Sequence, residues 1–168
     1  MNGTERRDFV RRHRTAIFGY GRKEHGPSMT IVYYAMDGND ILVSTMANRG
    51  KAKALARNPS VSLCVLDERW PPTYLLVYCK ARIETEPKAV VDLMMRIAGI
   101  MAGNPMPEEV RPMVEEGARL EQRVVLRLTP YATFESPPRH VASASDVNES
   151  LLHNLGTMVP WDDEGTPA

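Results

Sequence analysis

Four cations, Arg49, Lys51, Lys53 and Arg57, lie between Ile41 and Leu66 with no carboxylate among them, in a chain whose 21 basic and 21 acidic residues otherwise cancel. Two hydroxyls, Ser44 and Thr45, stand just ahead of them. Hydroxyl, guanidinium and ammonium groups gathered over so few residues are the donor set that holds a phosphate. The run from Ile41 to Thr45 is apolar and β-branched, and Lys51 to Arg57 has the composition of a short helix, so Ser44 to Gly50 reads as a strand-to-helix turn. Such a turn points unsatisfied N–H groups and a positive dipole end at one spot. A surface helix whose Lys and Arg are merely solvated is the competing reading of the same spacing.

Other chemistry is missing. His13, His25, His140 and His153 are scattered, none at a metal-binding spacing, and the chain holds no GxSxG, GxGxxG or GxxxxGK[ST]. Neither a catalytic side chain nor a metal ligand is therefore assigned, and any enzymology would come from a bound cofactor.

The elements that must position the cradle follow from periodicity and turn chemistry. A short helix is expected over Glu5 to His13, then strands over Thr15 to Tyr20 and Pro27 to Met36. Asp37-Gly38-Asn39-Asp40 is a hairpin turn, because Gly and Asn tolerate positive φ. After the cradle, Asn58-Pro59 stops the helix, and strands follow over Val61 to Leu66 and Thr73 to Ile83. Lys88 to Met101 is an amphipathic helix with Val90, Leu93, Met94, Ile97 and Met101 on one face, a methionine-rich stripe read as core. A second helical piece over Glu108 to Gly117 and a closing strand over Arg119 to Leu128 complete a mainly β fold: a split antiparallel β-barrel of about six strands with flanking helices.

A chain of 168 residues with 43% apolar side chains suits one core. We expect the barrel domain to occupy residues 1–135, with residues 136–168 an acidic tail, partly docked or disordered, in which some of Leu151 to Trp161 packs on the body. Zero net charge removes the broad basic face of a nucleic-acid-binding barrel. Cys64 and Cys79 fall out of register across the Arg69 to Pro72 turn and read as reduced thiols; with no apolar leader and no run of ~20 apolar residues, a cytoplasmic protein without a membrane partner is expected.

The run GPSMTIVYYAMDGNDILVSTMANRGKAKALARNPSVSLCVLDERWPPTYLLVYCKARIE, with the later RVVLRLTP, resembles the pyridoxamine-5′-phosphate-oxidase-like flavin-binding split barrels, and in particular their actinobacterial branch that uses the deazaflavin coenzyme F-420. The likeness covers roughly Thr15 to Tyr131. It implies a homodimer with a cofactor, coenzyme F-420 or alternatively FMN, in each subunit-interface cleft. It implies phosphate contacts from Arg49 and Lys51 with Ser44 and Thr45 beside them, a weaker contribution from Lys53, and Ser28, Met29 and Thr30 on the strand flanking the ring. The implied activity is hydride transfer to a conjugated small-molecule substrate; a non-catalytic flavin- or haem-type binder is the alternative. Gly50 separates Arg49 from Lys51 where many flavin members have adjacent Arg-Lys. After Pro130 the chain runs YATFESPPRHV, with neither the Trp nor the Arg-x-His of true pyridoxamine phosphate oxidases, which argues against the vitamin substrate.

Overall fold

A computed structural model describes residues 1–69, 73–135 and 157–164. Helix α1 (Gly3–Arg12) begins at a capping box in which the Asn2 side chain accepts from Glu5 N–H and the Glu5 carboxylate accepts from Asn2 N–H. It leads into strands β1 (Thr15–Tyr20) and β2 (Ser28–Tyr33), the short β3 (Ala35–Asp37) and β4 (Asp40–Met46). Helix α2 (Gly50–Leu55) precedes β5 (Ser60–Asp67) and the long β6 (Thr73–Glu84); helices α3 (Pro87–Ala102) and α4 (Arg111–Leu120) precede β7 (Arg123–Glu135), and β8 (Thr157–Pro160) follows. The strands form one antiparallel sheet in the order β2-β1-β5-β6-β7-β4-β3, with β8 added to β7. The sheet curls around its own apolar face, which makes a split barrel.

Period-two alternation places that face. In β5, Val61, Leu63 and Val65 point inward and Ser62 and Cys64 outward. The inward residues join Phe18, Ile41, Val43, Val77, Leu126 and Leu128 in the barrel core. A second core lies outside the sheet, where Val90, Val91, Leu93 and Met95 of α3 meet Leu42, Val125 and Ala118. Gly38, at φ +59°, turns β3 into β4 with only Gly38-Asn39 between the paired Asp37 and Asp40.

Several expectations shift. The strand expected over Pro27 to Met36 breaks at Tyr34, whose hydroxyl donates to Val10 O at 2.6 Å. That buried tie redirects the chain into β3. Arg119 and Leu120 belong to α4 rather than to the closing strand, which runs on to Glu135 because β6 pairs with it along most of its length. Met101 is 58% exposed, while Val91 and Met95 are buried instead. Cys64 lies opposite Leu76 and Cys79 opposite Val61, and both thiols are free. Of the expected docking stretch, 151–156 lies outside the described residues; Thr157–Pro160 pairs with β7 and Trp161 is buried.

Arg127 ties the turn ahead of β4 to the rest of the sheet. Its guanidinium donates to Asp37 at 2.7 Å, Asp40 at 3.2 Å and Glu84 at 2.8 Å. The Arg127 hydrogen bond holds the Asp37 carboxyl below the usual carboxylate range. Glu84 is held low as well, burial opposing and the hydrogen bonds from Arg127 and Arg82 prevailing. We expect Arg127→Met to cost about 1–2 kcal/mol near neutral pH, a value discounted because Asp37 is half exposed and screened. Carboxyls depressed in the folded state contribute stability above their unfolded pKa and lose it as pH falls through the folded one, so the gap between wild type and variant should close towards acid. Urea unfolding of both proteins at about pH 7 and about pH 3 measures it.

Candidate functional site

β4 runs between β3 and β7, so its register is set on both edges, with Ser44 opposite Val125 and Thr45 opposite Val124. Thr45 is only 6% exposed. The Ser44 Oγ is buried and has no hydrogen-bond partner among the described residues. A hydroxyl in that position carries a desolvation cost of about 1–3 kcal/mol that a bound acceptor would relieve.

Beyond β4 the chain turns into α2. The first backbone bond of α2 is from Lys53 N–H to Arg49 O, so the N–H groups of Gly50, Lys51 and Ala52 precede the ladder. The helix is shorter than expected: it ends at Leu55, not Arg57. With six residues its dipole is small, and side chains must supply most of the attraction for an anion. Lys51 does so from a half-buried position. Its Nζ donates to Thr30 Oγ1 at 2.5 Å and lies 5.6 Å from the centre of the Phe18 ring. Burial, and then the nearby Arg49 charge, lower the Lys51 pKa. An anion between the two cations would oppose both effects by favouring the charged ammonium.

These groups line a cleft of about 520 Å³. Thr30, Ser44, Thr45, Arg49 and Lys51 all border it. Arg49 is exposed and, among the described residues, donates only to the Met46 sulfur, at 3.4 Å, which leaves most of its guanidinium available. Lys53 is not in this cleft: with Arg57, Arg22 and Lys23 it lines a second cavity of about 500 Å³, and Tyr20 and Gly50 border both spaces. Ser28 pairs with Tyr20 at the strand end and does not line the cleft, and Met29, 69% exposed, alternates with Thr30 to the opposite face of β2.

Sequence reasoning missed Tyr20, Tyr33, Ile97 and Arg123 on the cleft wall. Arg123 is there because it pairs in register with Met46, a contact between strands far apart in sequence; its other partner is Glu121 at 2.6 Å. Gly50 carried a legible signal, since it interrupts the expected Arg-Lys pair. A Cβ on Gly50 would stand 3.2 Å from the Tyr20 hydroxyl, so glycine lets that phenol close on the head of α2. Among the described residues no three His, Cys, Asp or Glu side chains are grouped to hold a metal ion. What the cleft can do is bind an anion beside apolar and aromatic walls.

A curled antiparallel sheet with helices on its outer side defines the split-barrel class. Within it, the chain belongs to the pyridoxamine 5′-phosphate oxidase family, whose profile matches residues 3–135. That family includes flavin-binding oxidoreductases. A conserved hypothetical protein from Mycobacterium tuberculosis is 26% identical, with a TM-score of 0.68 over 86% of this chain and 94% of that one. An F-420 reductase is 20% identical, with a TM-score of 0.60 over 75% of this chain and 93% of that one. A haem storage protein from Vibrio cholerae is 16% identical, with a TM-score of 0.51 over 76% of this chain and 88% of that one. The last two likenesses are likenesses of fold alone. No protein of curated function matches the chain. No helix among the described residues is long and apolar enough to cross a membrane.

Proposed function

We propose that the cleft holds the phosphate of a flavin-type cofactor, coenzyme F-420 in preference to FMN, and that the protein is an oxidoreductase acting on a conjugated small molecule. The observation that carries this reading is the buried Ser44 hydroxyl, without a partner among the described residues, in a cleft that Lys51 and Arg49 also border. In this reading Ser44 and the N–H groups at the head of α2 donate to the phosphate, Lys51 and Arg49 balance its charge, and Thr30 fixes the Lys51 rotamer. Bound there, a deazaflavin would supply hydride-transfer chemistry toward a conjugated substrate. The apolar walls exclude water and orient the partners, and no side chain is required as an acid. The adjoining cavity with Lys53, Arg57, Arg22 and Lys23 favours the deazaflavin, because it offers cations to a longer anionic tail than FMN possesses.

The same reading includes a second copy of the chain. On the outer sheet face Ile31, Ile17, Cys64, Leu76, Phe134 and Met158 lie in one transverse register across six strands. Ile31 is 77% and Met158 63% exposed. An apolar row of that extent suits an isologous contact between copies.

Sedimentation followed at the cofactor's absorbance tests both parts together. Coenzyme F-420 should travel with a species of twice the 18.8 kDa chain mass, and FMN should do so less completely at equal concentration. Preferential retention of FMN would move the assignment to an FMN protein; retention of neither would remove the cofactor reading.

A further inference from the structure

A larger cavity, about 1110 Å³, opens on the other side of α3, between the end of α1, the Tyr34–Met36 corner and the loop that leads to α4. It shares no lining residue with the cofactor cleft: Tyr33 and Ile97 face the cleft, whereas Tyr34 and Ile100 face this cavity. Gly99 shapes its wall. A Cβ there would lie 3.0 Å from Asn104 O, so glycine lets the returning loop lie directly against the helix. Met36, Met95, Ile100 and Met106 give the cavity an apolar interior built mainly of side chains that repack around irregular shapes.

Its charges are unequal. The two carboxylates that border it are already engaged: Asp92 accepts from Lys88 at 2.6 Å and from Arg111 at 2.7 Å, and Glu108 accepts two bonds from Arg111. Arg11 pairs with Asp8. Arg96 donates to the neutral carbonyl of Met36 and feels the charge of Asp37, a carboxylate that Arg127 already holds at 2.7 Å, and the Arg14 side chain has no hydrogen bond or ion pair among the described residues. Two guanidinium groups thus stand at the border of an apolar chamber without an ion pair among the described residues.

We propose that this cavity is a second ligand site, for an amphipathic carboxylate: an aliphatic or aromatic body that fills the methionine-rich interior and ends in one anionic group held by Arg14 and Arg96. A guanidinium fork matches a carboxylate bidentately, and the volume lies just above the ~300–1,000 Å³ usual for small-ligand sites. The site is independent of the cofactor reading, because α3 and the β2–β3 corner separate the two spaces.

Fluorescence titration of the full chain with dansylated undecanoic acid tests it. Saturable binding is expected, displaced by decanoate and not by decanol at the same concentration. Arg14→Gln combined with Arg96→Gln should weaken binding roughly tenfold or more, as loss of charge-assisted hydrogen bonds does. Ile100→Trp, which fills the apolar end and keeps both cations, should abolish it, while Lys51→Ala should bind the probe like wild type. Absence of saturable binding, equal displacement by decanol, or wild-type affinity in either cavity variant would overturn the proposal. So would loss of probe binding in Lys51→Ala, because that would place the probe in the cofactor cleft and leave the cofactor reading itself intact.

Discussion

Trp161→Ala is expected to destabilise the protein by about 3–5 kcal/mol, the usual cost of deleting a large buried aromatic side chain and leaving a cavity. Trp161 is 2% exposed and belongs to the same buried cluster as Phe9 and Phe18. Its N–H donates to Tyr131 O at 3.1 Å, continuing the pairing of β8 with β7. Arg6, itself 2% exposed, fastens the segment from the other side by donating to the carbonyls of Pro160 and Asp163, and Arg7 meets Glu164 at 2.6 Å. A segment resting loosely on the surface would give a change within ~0.5 kcal/mol. Trp161→Phe should recover much of the loss, since the indole Nε1 has no hydrogen-bond partner to forfeit among the described residues. Urea unfolding of the three proteins decides it: equal midpoints for wild type and Trp161→Ala would mean that residues 157–164 are not part of the folding unit.

The antiparallel sheet was legible because its local rules agree. Alternation in β5, the Asp37-Gly38-Asn39-Asp40 turn and the Asn58-Pro59 stop each point to the same architecture, and the helix over Pro87–Ala102 differs from its expected span by one residue at each end. What failed depends on distant partners. Tyr34 ends β2 by reaching Val10, and β7 gains its length from β6; neither contact has a signature within its own segment. The breadth of the buried arc on α3 is another such case. Leu42 and Val125 cover one side and Ala118 another, so residues outside a single helical stripe are buried.

The candidate site divides in the same way. Ser44, Thr45, Arg49 and Lys51 sit within eight residues, so the turn that joins them could be read from their spacing, and the fold brings them to one cleft with Thr30. Lys53 is two residues from Lys51 but on the other side of α2, where it meets Arg57. A helix rotates about 100° per residue, so alternate positions diverge, and counting cations along the chain overstated how many converge. Arg123 and Ile97 are contributed by β7 and α3, and only the completed fold brings them to β4.

Lys51→Ala is the variant that reaches the anion contact most directly. Removing a charge-assisted hydrogen bond should weaken cofactor binding by about 1.5–3 kcal/mol, while folding stability changes by less than ~1 kcal/mol, because the lost contacts to Thr30 and Phe18 are offset by the desolvation of the half-buried ammonium. Since burial already lowers the Lys51 pKa, wild-type affinity should decline as pH rises towards the ordinary lysine range, and the variant should lack that decline. Lys88→Ala is the control, a cation on α3 outside the cleft whose partner is Asp92. The measurement is a titration of coenzyme F-420 by fluorescence quenching, at low and at high salt, for wild type, Lys51→Ala and Lys88→Ala. Weaker binding is expected in Lys51→Ala alone, with a shallower salt dependence than wild type. Equal affinities and equal salt slopes in all three proteins would contradict it and leave α2 a solvated surface helix.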